Sequence, residues 1–150
     1  MATPDEARAF TERLADQVGK TANEIKQRTA AAFLRTVVLS NPKYTGTARF
    51  NWRVGLGGPE LFFKQLAFDR SEASMAEESI PRGLLTIDQA RPGEAIHVSS
   101  IVPYVPSLDN GEHPHANVGF INRARLASLN VAGDAARFIE TELSGPVFRG

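Results

Sequence analysis

Apolar side chains recur at three- and four-residue steps along the start of the chain, through Ala7, Phe10, Leu14, Val18, Ala22, Ile25, Thr29, Phe33 and Val37. That spacing lays one stripe along a single long helix ending near Leu39. Thr3 and Glu6 form a capping box at its start, and Pro4 suits the first helical position. Asp16 with Lys20 and Glu24 with Arg28 place acid before base at four-residue spacing. At about 1.5 Å per residue the helix would reach roughly 50 Å, long for a small domain. A rod of that length packs against something beyond its own core. A break at Gly19 is the alternative, since mid-helix glycine is unfavourable by only about 1 kcal/mol.

Asn41-Pro42 ends the helix, because the residue before proline is pushed toward extended geometry, and Tyr44-Thr45-Gly46 makes a turn. Strict alternation follows: Ala48, Phe50, Trp52, Val54 and Leu56 face one way, and Thr47, Arg49, Asn51, Arg53 and Gly55 the other. This predicts a half-buried strand closed by Gly57-Gly58-Pro59. Residues 60–92 read as a variable, partly helical excursion. Leu61, Phe62, Phe63, Leu66 and Phe68 have no clean period, Ser71 to Ser79 is polar and helix-tolerant, and Gly83 to Ala90 fits a short helix. Ala95 to Ile101 alternates again and predicts a second strand antiparallel to the first.

Pro103 to Gly111 is a compact connection with room for one helical turn. A final helix is expected from Asn117, as cap, to about Leu143. Its stripe is Phe120, Ile121, Ala124, Ala127, Val131, Ala135, Phe138, Ile139 and Leu143, with a possible bend at Gly133. Residues 144–150 form a short tail, mobile or held by a partner. The whole chain, 1–150, therefore reads as one α+β domain: a long N-terminal helix and a long C-terminal helix packed on a small antiparallel sheet.

Composition narrows the function more than the fold. With 17 basic and 17 acidic side chains the formal net charge is zero. The chain has no general pull toward nucleic acid or anionic membrane, and little charge keeps its copies apart. Cysteine is absent, which excludes disulfides, thiolate metal sites and cysteine nucleophiles. The N-terminus does not read as a secretory signal, and no apolar run is long enough to span a membrane. The expected setting is the cytoplasm, or a particle assembled there.

Candidate chemistry is sparse. Glu112-His113-Pro114-His115 offers two histidines at alternate positions, with His97 as a third, yet Pro114 interrupts strand pairing. Asp109 and Glu112 flank a glycine turn and are a conceivable acid–base pair, although Asp-Asn-Gly is ordinary turn chemistry. No nucleophile elbow or phosphate loop is present. No catalytic, cofactor-binding or metal-binding residue is assigned. Arg49 and Arg53, with Lys43 nearby, are expected on the polar strand face, either solvated or in contact with phosphates or acidic neighbours.

Two stretches carry a resemblance. The first runs from Asn41 through Tyr44-Thr45-Gly46-Thr47-Ala48-Arg49 to Trp52, directly after the long helix. The second runs from Ile96 to Pro103-Tyr104, then Leu108-Asp109-Asn110-Gly111, then Ala116-Asn117-Val118-Gly119-Phe120. In order and spacing they resemble the tail-completion, or head–tail joining, family of long-tailed bacteriophages. Members of that family typically read Thr-Pro-Val-Asp-Thr-Gly-x-x-Arg-x-x-Trp in the first place. In the second they have a strand ending in Asn-x-x-Pro-Tyr, then Leu-Glu-x-Gly, then Ala-Pro-x-Gly-Phe or Met. This chain departs in Lys43-Tyr44, in Asn117 where proline is common, and in Pro106 close after Tyr104.

The resemblance implies a non-enzymatic virion protein without cofactor, acting as a ring, often of six copies, between the tail tube or tail terminator and the head connector or portal adaptor. Contact with genomic DNA in the channel is possible; membrane contact is not expected. Thr45, Gly46, Arg49, Trp52, Pro103, Tyr104, Leu108, Gly111, Gly119 and Phe120 are its structural signature. Phe62, Phe63 and Phe68 are candidates for subunit or tube contacts, or else ordinary core. The competing readings are a nucleic-acid-binding accessory module using Arg49 and Arg53, and a small metal enzyme using His97, His113 and His115.

Overall fold

The computed structural model describes residues 3–42, 46–67, 69, 71–111 and 119–143, with side chains of the last helix through Asp134. The signature Thr45, the contact candidate Phe68, Lys43, the Glu112–His115 cluster, the cap Asn117 and the tail 144–150 lie outside the described residues.

Helix α1 spans Pro4–Ser40 and runs unbroken through Gly19. Its capping box is formed: the Glu6 N–H donates to Thr3 Oγ1 at 3.2 Å, and the Thr3 N–H donates to the Glu6 carboxylate at 2.9 Å. Asn41 is extended ahead of Pro42 and ends the helix. Only the far part of the stripe is enclosed. Leu34, Val37 and Val38 are fully buried, whereas residues 3–13 are all exposed.

The first predicted strand needs correction. Thr47–Phe50 is a helical turn, α2, and only Arg53–Leu56 forms strand β1. Side-chain hydrogen bonding outweighed the alternating pattern. Gly46, at φ 92°, brings the chain in left-handed, and the Phe50 N–H then donates to the Gly46 carbonyl at 2.9 Å. Asn51 Nδ2 donates to the Thr47 carbonyl at 2.7 Å, which closes the turn. The expected polar face is not solvated either, since Thr47, Asn51, Arg53 and Gly55 are all buried.

The excursion contains a 3-10 helix at Ala73–Glu78 leading into α3, Ser79–Asp88, which starts four residues before the predicted Gly83. Strand β2, Ile96–Ser99, pairs antiparallel with β1 in the register Arg53↔Ser99, Val54↔Val98, Gly55↔His97 and Leu56↔Ile96. It ends before Pro103, so Pro103-Tyr104 leads into α4, Val105–Asp109, rather than closing the strand. Pro106 sits in the first turn of α4, where its missing N–H is harmless.

Helix α5, Phe120–Leu143, runs through Gly133. Phe120 and Ala124 join Leu34, Val37 and Val38 in the core, while Val131 lies beside Gln27 and Ala31. The helix therefore returns antiparallel along α1, and this pair is the most extensive contact between elements. Trp52, Val54, Ile87, Val102 and Leu108 complete the core beneath the sheet and α3. Gly83 allows that closeness: a Cβ there would lie 2.9 Å from Val54 Cγ2 and nearer still to Leu34 Cδ2.

Candidate interaction surface

Of the signature residues that the structure describes, Trp52, Leu108 and Phe120 share the core with Leu34, Val37 and Val38 near the end of α1. Arg49, expected on a solvated strand face, instead reaches back to the end of α1. Its Nε donates to the Asn41 carbonyl at 2.7 Å and its Nη2 to the Leu39 carbonyl at 2.9 Å. Its Nη1 pairs with the Glu77 carboxylate at 2.8 Å. A guanidinium at a helix C-terminus satisfies free carbonyls and the negative end of the dipole together. Trp52 and Leu108 are buried, and Phe120 is fully so. Gly111 and Gly119 hold positive φ angles of 78° and 74°. Burial raises the Tyr104 pKa, and the Thr47 side chain beside it opposes that shift.

Of the candidates for chemistry, Asp109 and His97 are described. Asp109 Oδ1 accepts from the Ile121 N–H at 3.0 Å, and the Asp109 carbonyl accepts from the Gly119 N–H at 2.9 Å. It thus caps the first turn of α5. His97 is half-buried, opposite Gly55 in the sheet. Among the described residues no group of three or more His, Asp or Glu side chains is placed to hold a metal, and no helix is long and apolar enough to cross a membrane.

The loop after β1 builds the most distinctive surface. It folds back over the outer face of the strand, where Gly55 lacks a side chain because a Cβ would meet Glu60 N at 2.8 Å. Ser99 Oγ donates to the Glu60 carbonyl at 3.5 Å, a long bond. At the other end the anchoring is firm. The Asn51 amide exchanges two 2.8 Å hydrogen bonds with the Lys64 backbone, and the Leu66 N–H donates to Thr47 Oγ1 at 3.0 Å. Between these anchors Leu61, Phe62 and Phe63 are exposed by 67%, 44% and 42%. Phe62 and Phe63 are thus surface residues, not core.

Beneath this loop lies Arg53, also expected in solvent and only 6% exposed. Its Cζ sits 4.0 Å from the Phe62 ring centroid and 5.1 Å from that of Phe50. Arg82 approaches the same Phe50 ring at 5.0 Å and donates to the Phe50 carbonyl at 3.0 Å. Burial lowers the Arg53 pKa, the neighbouring Arg82 charge lowers it further, and Glu60 raises it. Burial also lowers the Arg82 pKa, against Glu60 and Glu78. Both guanidinium groups remain cations at ordinary pH. A loop of no clear period gave no sign that it would bury Arg53; the run of aromatic residues was its only legible feature. No protein-family model, curated protein or solved structure matches this chain at a significant level.

Proposed function

We propose that the chain is a structural virion subunit of a tailed bacteriophage, working without catalysis in a ring at the head–tail junction. In this reading it joins the tail tube or tail terminator to the head connector or portal adaptor, in about the six copies the resembling family uses. The observation that carries it is the order and spacing of two signature stretches, one at Thr45–Trp52 and one at Pro103–Phe120. Their packing supports it: Trp52 of the first shares the core with Leu108 and Phe120 of the second, while Arg49 caps α1 and Asp109 caps α5. Residues shared for the sake of a scaffold are expected at such joints. An exposed apolar loop and an uncovered helix end suit a protein whose work is done by contact area. Arg49 and Arg53 are committed or covered, which leaves the nucleic-acid module little to use.

Interrupting the gene in the phage that carries it tests the reading. The expected lysate holds filled heads and finished tails that fail to join, and adding the purified chain restores whole particles. Normal joining in its absence overturns the proposal.

A further inference from the structure

Two surfaces of the chain are uncovered and complement each other. The first is the outer end of α1, where residues 3–13 are all exposed. The apolar stripe continues there through Ala7 and Phe10 to Leu14 and Val18, with Phe10 47% and Val18 48% exposed. The same arm carries Asp5, Glu6, Glu12 and Asp16 against Arg8 and Arg13, and Glu12 meets Arg8 in an exposed 3.4 Å contact.

The second surface is the Leu61–Phe63 loop over Arg53. Although Arg53 is 94% buried by its 6% exposure, its Nε and Nη2 have no hydrogen-bond acceptor. These two N–H groups share one edge of the guanidinium, the edge that a carboxylate takes with both oxygens. A buried donor left unsatisfied is unfavourable, and more so when it carries a charge. The edge is closed to solvent, so the loop that stacks Phe62 on the guanidinium has to shift to open it; among the described residues, the loop's hydrogen bonding between Gly57 and Lys64 is the long Ser99–Glu60 bond.

We propose that the loop is a docking surface for the helical arm of a second copy of this chain: Phe10 packs on Leu61, Phe62 and Phe63, and an arm carboxylate is taken by the free edge of Arg53. Charge and surface both favour this occupant. The arm brings carboxylates to two clustered arginines, and its apolar stripe covers side chains that a phosphate backbone would leave in water. The arm cannot reach the loop of its own chain. Phe10 lies about 36 Å along α1 from Leu34, and the loop is anchored beyond Leu34, on Thr47 and Asn51. The contact is therefore head-to-tail, the kind that closes a ring or grows a filament. It rests on the ring reading above for the premise that copies associate.

The absence of cysteine makes the test clean. Full-length Phe10→Cys and Phe63→Cys chains are prepared separately, mixed and oxidised. The mixed disulfide is expected to exceed either homodimer about tenfold, because docking raises the effective concentration of the thiol pair. A mixture of Phe10→Cys with Leu126→Cys, exposed on α5, is expected to give background only. Introducing Arg53→Lys into the Phe63→Cys chain keeps the charge, removes the two-donor edge and is expected to cut the mixed product several-fold; a matching melting temperature shows that the variant folds. Mixed product at the control level overturns the contact. Product that Arg53→Lys leaves unchanged overturns the carboxylate seat, and protection of the Phe63→Cys thiol by DNA instead of a second copy overturns the choice of occupant. Light scattering separates the two levels: oligomers without the mixed product sink this contact alone, whereas a chain monomeric at every concentration sinks the ring premise too.

Discussion

Arg49→Ala withdraws the donor from three acceptors at once: the Asn41 carbonyl at 2.7 Å, the Leu39 carbonyl at 2.9 Å and the Glu77 carboxylate at 2.8 Å. A hydrogen bond from a charged donor contributes about 1.5–3 kcal/mol where water cannot replace it. Only the Asn41 bond meets that condition, since Asn41 is 0% exposed. The Arg49 and Glu77 side chains are 17% and 36% exposed, so their ion pair falls toward the surface range of about 0.2–1 kcal/mol. Adding a few tenths for the exposed Leu39 carbonyl, the expected loss is about 2–4 kcal/mol. Arg49→Lys keeps the charge but cannot span three acceptors from a rigid fork, so it is expected to recover about half of that loss or less. Urea unfolding followed by the emission of Trp52, the one tryptophan and 5% exposed, measures both variants. Protein concentration is held fixed, because association would add its own stability. A loss under about 0.5 kcal/mol for Arg49→Ala, or a lysine variant equal to arginine, refutes the capping role.

Two glycine substitutions should move in opposite directions. Gly83→Ala drives a Cβ against Leu34 and Val54 and is expected to destabilise by about 1–3 kcal/mol despite better helix propensity. Gly19→Ala meets nothing within 4 Å and is expected to stabilise by up to about 1 kcal/mol in the same unfolding assay. Asp109→Ala removes the cap on the Ile121 N–H and is expected to lose about 0.5–2 kcal/mol, read by the urea midpoint. Because the folded chain raises the Tyr104 pKa above its ordinary 10.0, the proton is held more tightly when folded. That contribution is complete below pH 10 and is lost as pH rises beyond it, so Tyr104→Phe is expected to flatten the alkaline end of a stability–pH profile.

The long elements were legible because their evidence is local and repeated. The Thr3–Glu6 box fixed the start of α1, Asn41-Pro42 fixed its end, and the stripe from Phe120 to Val131 gave α5. Ile96–Ser99 alternates in the sequence and is a strand. The first strand was half wrong for a definite reason: Thr47 and Asn51 use their side chains to close a helical turn, and a pattern of apolar and polar positions does not register that competition. The same pattern placed Arg49 and Arg53 in solvent, whereas one caps a helix and the other is covered by residues 58–63, a stretch with no period to read. Phe62 and Phe63, contact candidates under the ring-forming resemblance, are exposed. The outer part of the α1 stripe predicts burial that the described residues do not provide, and nothing in one sequence says that a second chain has to provide it.

The proposed role is tested most directly by an averaged electron-microscopy density of the neck of intact particles from the tailed phage proposed to carry this chain. The account predicts a ring in that density whose repeating unit fits the antiparallel α1–α5 pair and the two-stranded sheet, with the outer end of each α1 lying on the Leu61–Phe63 loop of the next subunit. A neck whose every ring is built from other chains, with none of this one present, contradicts it.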